Sequence, residues 1–500
     1  MKNWSIAELT EHLENSPGIR SISPELLKIM TRGWSQATDP AQEWEGTAPR
    51  RVRRQTISTD FSGETLVIPA GSAPLRTKEL PHPFRPSSDF MWLVGEAEPH
   101  SVLVIGPDDE GVLFIPVHPP LEHPLSILDP HEAMWEGMRE TVSDTSTRLG
   151  VETRDLSDLP ARLRGISART VRNLDPLVDE LVADDGGELE KQIARRRLFK
   201  DDYEIAQLRQ VVEDTVRGFE AIARALPNAP AHGEAFIEGV FTSTARALGR
   251  GGSFTPIVGG GPRATIPHWQ ANTGAITPGE LVLIDAGVEG HELYSADIAR
   301  TLPVSGRYSE PQRDVLDIVA AARAAAHDAA RPGAAFSAPH LAARGILIDG
   351  LADLGVLPHP EFEHLDPAER GWRWTLHTTS HMLGVDTHDA MPIAAEYFAG
   401  TIEAGHVLAV EPGLYFSPYD EYVPESLRGI GVRIEDNVVI TDEGIDVLSH
   451  ELPVTADETE DWLSALQNGV EATVPGRPVA SGKVAAPGTA SVLGTTTVQP

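Results

Sequence analysis

Four carboxylates and one imidazole set inside apolar runs constrain this chain more than any other feature. Asp285 stands in LVLIDAG (281–287), Asp297 in YSADIART (294–301) and His381 in HTTSHMLGVDTHD (377–389). Glu411 stands in AVEPGLY (409–415) and Glu435 in GVRIEDN (431–437). Carboxylates seldom enter a core unpaired, because an uncompensated buried charge costs several kcal/mol. One partner that satisfies four acids and a histidine together is a pair of divalent cations. A single cation needs three or four oxygen or nitrogen ligands. Five ligands, four of them able to bridge, suit two cations about 3.5 Å apart with an ionised water between them.

The chain around these segments is long enough for two domains and a large core, at 500 residues. Its formal net charge of -33 argues against a nucleic-acid partner. It contains no cysteine, which excludes disulfides and thiolate-bound zinc. No run of 18 apolar residues occurs, so no membrane span is expected, and the polar MKNWSIAELTEHLENSPG does not read as a secretory signal. A cytoplasmic protein is the expectation.

Strands are expected at ETLVIPA (64–70), DFMWLVG (89–95), SVLVIG (101–106) and GVLFIPV (111–117), with a helical piece at 154–165, forming a first α/β domain. The cluster Arg50, Arg51, Arg53 and Arg54 reads as a solvated surface patch. EKQIARRRLFK (190–200) reads as a connecting helix. Beyond it, apolar spacing predicts a helix over 204–226. A second is expected over about 233–248, a third over the alanine-rich 312–330, stopped by Pro332-Gly333, and a fourth over 338–354. LVLIDAG, HVLAVEPGLYF and GVRIEDNVVIT read as strands. The 12 residues from Asp285 to Asp297 fit a hairpin returning to one point. From 468 onward the composition is Gly-, Ala-, Thr- and Pro-rich, a disordered tail.

These segments resemble the pita-bread metallopeptidases: methionine aminopeptidases, prolidases, creatinases and aminopeptidase P. HTTSHMLGVDTHD, RGIGVRIED and FRPSSDF (84–90) are most similar to the aminopeptidase P branch. The resemblance implies an α/β (α+β) fold with an N-terminal creatinase-like α/β domain over 1–197, including a polar leader 1–50. A catalytic pita-bread domain with a pseudo-twofold curved antiparallel sheet would span 198–465, and the tail 466–500.

By the same resemblance Asp285 would hold one metal ion, Asp297 and Glu435 would bridge two, and His381 and Glu411 would complete the second. Manganese is the metal it implies. His377 would line the substrate pocket, His388 would bond the substrate and aid proton transfer, and His268 would stabilise the tetrahedral intermediate. Glu411 would also carry the proton to the leaving nitrogen. Arg433 would sit beside the site, or alternatively make an ordinary cross-strand ion pair. Glu79, from a neighbouring subunit, would meet the substrate amine, although relatives carry Asp there. Phe254 stands where relatives often have tyrosine, and Ala299 where they have threonine.

The activity so implied is removal of the first residue from peptides with proline second, by a homo-oligomer (dimer or tetramer). A proline dipeptidase is the alternative, with Ser380 favouring the aminopeptidase. A metal-free binding protein of this fold and a creatinase-like hydrolase of a small amidine are further alternatives.

Overall fold

The computed structural model describes residues 23–35, 41–78, 80–107, 111–183, 185–366 and 369–469. Most of the leader, Glu79 and all but the first few residues of the expected tail therefore lie outside the described residues.

After a short helix at Pro24–Met30, the N-terminal part continues with helix α1 (Thr47–Asp60) and strand β1 (Thr65–Pro69), followed by helix α2 (Ser88–Leu93). Strands β2 (Val102–Ile105), β3 (Val112–Ile115), β4 (Glu152–Asp155) and β5 (Ala168–Thr170) complete one sheet, in the order β4-β3-β2-β1-β5. Pairing is antiparallel across β1, β2 and β3 and parallel at both edges. Successive strand residues point to opposite faces. Leu66, Ile68, Leu103, Ile105 and Leu113 enter one core, whereas Val67, Val102, Val104 and Phe114 enter another on the reverse face. Burial on both faces explains why these strands read as unbroken apolar runs.

Two expectations fail here, and each explains the other. DFMWLVG is not a strand but the helix α2. A short apolar run carries no usable period, and the ends decide it: Ser87 Oγ accepts from the backbone N–H of Phe90, an N-cap. The arginine cluster is not a solvated patch, since Arg50, Arg53 and Arg54 are buried and only Arg51 is exposed. Their guanidinium groups donate to the carbonyls of Met91 (3.2 Å), Trp92 (3.1 Å) and Leu93 (2.8 Å). Those are the last three carbonyls of α2; that of Met91 also accepts from the backbone N–H of Gly95 at 3.0 Å, and the arginines cover the helix end that backbone bonds leave open. The same arginines reach across the molecule: Arg50 pairs with Glu292, and Arg53 with Asp201 at 2.7 Å and Glu204 at 3.4 Å. The segment 154–165 also begins in β4 and becomes helical only after a 3-10 turn, at Leu159–Leu163.

Helix α3 (Glu188–Arg197) leads into the larger part. Its first half holds helices α4 (Asp202–Ala225) and α5 (Glu234–Leu248) and strands β6 (Gly251–Gly252), β7 (Ile257–Gly260), β8 (Leu281–Ala286), β9 (Val288–Glu289) and β10 (Ile298–Pro303). Its second half holds helices α6 (Glu310–Ala329) and α7 (Ala338–Asp353) and strands β11 (Ser380–Met382), β12 (Val407–Val410), β13 (Gly413–Tyr415), β14 (Gly431–Arg433), β15 (Asp436–Thr441) and β16 (Gly444–Val447). Helix α8 (Ala456–Gln467), the last among the described residues, packs against α4. The two halves repeat one plan, a helix pair laid on antiparallel strands. Leu208, Phe219 and Phe241 cover Val282, Ile284 and Ile298 in the first, and Val315, Val319 and Leu347 cover Leu408, Val410 and Val438 in the second. Each such side chain contributes about 1.5–3 kcal/mol. A few of them offset one awkwardly buried acid, which lets the fold carry a costly site.

Candidate metal centre and active site

The acids gather where the halves meet. Asp285 lies on β8, and Asp297 directly precedes β10, which returns antiparallel to it with Ala299 opposite Asp285. His381 lies on β11. Glu411 and Glu435 do not lie within strands. They occupy the breaks between β12 and β13 and between β14 and β15. There the backbone bonds sideways: Glu411 N–H to Thr379 O at 2.7 Å, and Glu435 N–H to Ala299 O at 3.0 Å across the seam. The break turns each carboxylate out of the pleat and into the cavity.

Asp285, Asp297 and Glu435 form one group whose ligand atoms lie within 4.8 Å of one another, His381, Glu411 and Glu435 form a second, and an overlapping third joins Asp297, His381 and His388. His381 Nε2 is 3.4 Å from Asp297 and 3.6 Å from Glu411. Asp285 Oδ1 and Glu435 Oε2 are buried with no hydrogen-bond partner among the described residues. Such atoms are expensive unless something satisfies them. Burial, opposed by Arg433 and aided by the charges of Asp297 and Glu411, pushes the Asp285 carboxyl up to about 8. Burial and the charges of Asp297, Asp285 and Glu411 push Glu435 well above the usual carboxylate range. His381 moves the other way from what its burial alone dictates: its contacts with Asp297 and Glu411 raise it to about 9. Acids held too protonated beside a histidine held too protonated describe a centre short of positive charge. Divalent cations fit these residues on all three counts: orphaned oxygens, shared carboxylates, and an all oxygen and nitrogen donor set.

The cavity above, about 640 Å³, is lined by the five acidic and imidazole groups and by His268, His377, His388, Arg433 and Phe254. His268 and His388 are exposed to it. The ring of His388 sits 4.2 Å from that of His381. His377 Nδ1 donates to Thr378 O at 2.8 Å, so its Nε2 accepts from the Tyr415 hydroxyl at 2.8 Å. Burial lowers the His377 pKa, which keeps it neutral in this role. Arg433 pairs with Asp285 and donates to Tyr415 Oη at 2.9 Å. It is thus an ion pair, and one made to a candidate ligand.

Sequence reasoning passed over Tyr415 and Asn437. Tyr415 joins His377 to Arg433. Asn437 accepts from Asp297 N–H at 3.0 Å and donates to Asp297 O at 2.6 Å, clamping that residue's backbone. Arg433, Glu435 and Asn437 alternate along the chain, a spacing that would put them on one side of an unbroken strand, and for Asn437 that was the available signal. The clamp also bears on Ala299: the hydroxyl absent there leaves Asp297 with an anchor of its own. Thr301 supplies a hydroxyl two residues on, bonded to both N–H (3.1 Å) and O (3.2 Å) of Arg433.

The profile of metallopeptidase family M24 matches residues 206–442, and that of the aminopeptidase P N-terminal domain matches 51–173. Xaa-Pro aminopeptidase 1 of Streptomyces coelicolor is 38% identical over 461 residues, covering 89% of this chain and 93% of that protein. The chain belongs to metallopeptidase family M24. Xaa-Pro aminopeptidase 2 of the same organism is 37% identical, over 89% of this chain and 97% of its own. Among solved structures, aminopeptidase P from Escherichia coli with the inhibitor Pro-Leu aligns with a TM-score of 0.75 at 29% identity, over 85% of this chain and 100% of the other. This M24 chain is a peptidase with an N-terminal domain and a pita-bread catalytic domain. Its family works with divalent metal ions. No helix among its described residues is long and apolar enough to cross a membrane.

Proposed function

We propose that this M24 metallopeptidase is an Xaa-Pro aminopeptidase that uses two manganese ions. The observation that carries the reading is the pair of three-ligand groups sharing Glu435 beneath a cavity roomy enough for a short peptide. Asp285, Asp297 and Glu435 would hold one ion, and His381, Glu411, Asp297 and Glu435 the other. Bound there, the ions supply Lewis acidity and a water ionised at neutral pH.

The remaining work belongs to the side chains. His268 and His388 face the cavity and donate hydrogen bonds to the scissile carbonyl oxygen as negative charge gathers on it. Glu411 takes the proton of the attacking water and delivers it to the prolyl nitrogen as that bond breaks. The nitrogen needs this proton because, before cleavage, it is a tertiary amide without N–H. Phe254 gives the substrate an apolar platform. Arg433 and Tyr415 hold Asp285 and His377 in place. We divide the chain at 197/198 and at 465/466, and assign it to the cytoplasm as a homo-oligomer in which Glu79 of a neighbouring copy meets the substrate amine.

Incubation of Arg-Pro-Pro with the manganese-loaded enzyme should release free arginine. Cleavage of Xaa-Pro dipeptides with the tripeptide left intact would replace this reading by a proline dipeptidase.

A further inference from the structure

The segment FRPSSDF (84–90) belongs to the N-terminal domain, yet two of its residues, Arg85 and Ser88, grip a loop of the catalytic domain, and a third, Asp89, reaches it through Arg197. That loop, residues 383–389, carries His388 to the rim of the cation groups. The His388 imidazole is exposed and, among the described residues, is held only by its ring contact with His381, so the backbone on either side of it does most to set its position. Both flanks are braced by Arg197, at the end of α3. Its guanidinium donates to Asp386 Oδ2 at 2.6 Å on one side of His388 and to Asp389 on the other, and to Asp89 Oδ1 of α2 at 2.8 Å. Lys200 Nζ completes Asp389 at 2.9 Å. Ser88 Oγ donates to Asp386 Oδ1, and Arg85 Nη2 to Val385 O at 2.7 Å. Arg197, Asp89, Asp389 and Lys200 are all buried.

Exposed ion pairs hold little, but a buried planar guanidinium forked to several carboxylates fixes geometry as well as charge. We propose that Arg197 is a positioning residue: bridging Asp386 and Asp389 while seated on Asp89, it fixes His388 above the cation site. The N-terminal domain thereby sets the geometry of a pocket it does not line. The inference rests on the reading of His388 as the group that bonds the substrate carbonyl. Displacing such a group by a fraction of its bond length is costly to the rate while leaving ground-state binding largely intact.

Arg197→Lys keeps a positive charge and loses the fork. With Arg-Pro-Pro and the manganese-loaded enzyme, kcat should fall about 10- to 100-fold, with KM and manganese stoichiometry unchanged. Ser88→Ala, which removes the bond to Asp386 Oδ1 and leaves that from Arg197 to Oδ2, should give a smaller loss of the same kind. In the double variant Arg197→Lys with His388→Ala, the loss should be no greater than in His388→Ala alone, because both act through one group. Losses that multiply overturn the proposal. In chelator-treated protein, the His388 side-chain resonance, assigned by its disappearance in His388→Ala, should shift and broaden in Arg197→Lys while that of His381 stays; an unmoved His388 signal also overturns it. If Arg197→Lys does not fold, Ser88→Ala enters the same cycle. Full activity of His388→Ala would defeat the reading of His388 itself, and the positioning role with it. A crippled His388→Ala with multiplying losses defeats the positioning role alone.

Discussion

Glu411 is the most solvent-accessible of the four clustered carboxylates, its side chain 19% exposed against 1% for Glu435. A group that must take and release protons needs that access, whereas a shared ligand needs rigidity. Glu411→Gln should therefore cut kcat about 10²- to 10⁴-fold, read in steady-state assays at saturating manganese. Glu435→Gln should do something different. It removes a carboxyl whose ionisation is opposed by burial and by its neighbours, so the chelator-treated variant should melt a few degrees above the parent at pH 8, while the rise in Tm on adding manganese disappears. Tyr415→Phe leaves His377 Nε2 and one Arg433 donor unpaired, at about 1–3 kcal/mol, and kcat/KM should fall about tenfold or more with manganese binding retained. At this scale the sequence was informative where chemistry and setting clash. An acid among aliphatic residues announces itself, and all five candidate ligands were legible for that reason. Tyr415 and Asn437 look like ordinary strand residues, and their partners are remote in the chain. Arg50 was misread on the same ground: nothing near it in sequence foretells Glu292.

Elements were legible wherever a period survived. The helices α4 to α7 fall close to their expected ranges; α4 does so because it shows the core a stripe of apolar residues and solvent the rest, and α6 because Pro332-Gly333 stops its alanine-rich run. Residues 89–95 had no such stripe, and α2 was settled instead by Ser87 at one end and three guanidinium groups at the other. Ser87→Ala should cost about 1 kcal/mol as a lost cap, more than a surface substitution, because the same hydroxyl also donates to Pro69 O at 2.8 Å. Equilibrium denaturation measures it; no change in midpoint would mean the cap is idle. Strand interruptions escaped notice altogether. Glu411 and Glu435 were expected on continuous strands, yet it is the breaks that aim them.

Across the whole molecule, the centre ties stability to pH. The Asp285 carboxyl rises from 3.8 to about 8 on folding, so it takes stability away as pH climbs through that interval. His381, raised from 6.5 to about 9, stabilises below 6.5 and ceases to as pH passes 9. Both act in one direction. Chelator-treated protein should lose Tm steadily from pH 5 to 9, and manganese should flatten that decline, since cations replace the missing protons. Parallel declines with and without manganese would show that these groups do not govern it. The seam at which Glu435 bonds Ala299 carries a last implication. Glu435 is the last of the five candidate ligands in chain order and, with Asp297, one of the two shared between the ion sites proposed above. A nascent or truncated polypeptide, however well its earlier half has folded, lacks the means to cut anything, so the cell acquires this proteolytic power only in finished copies.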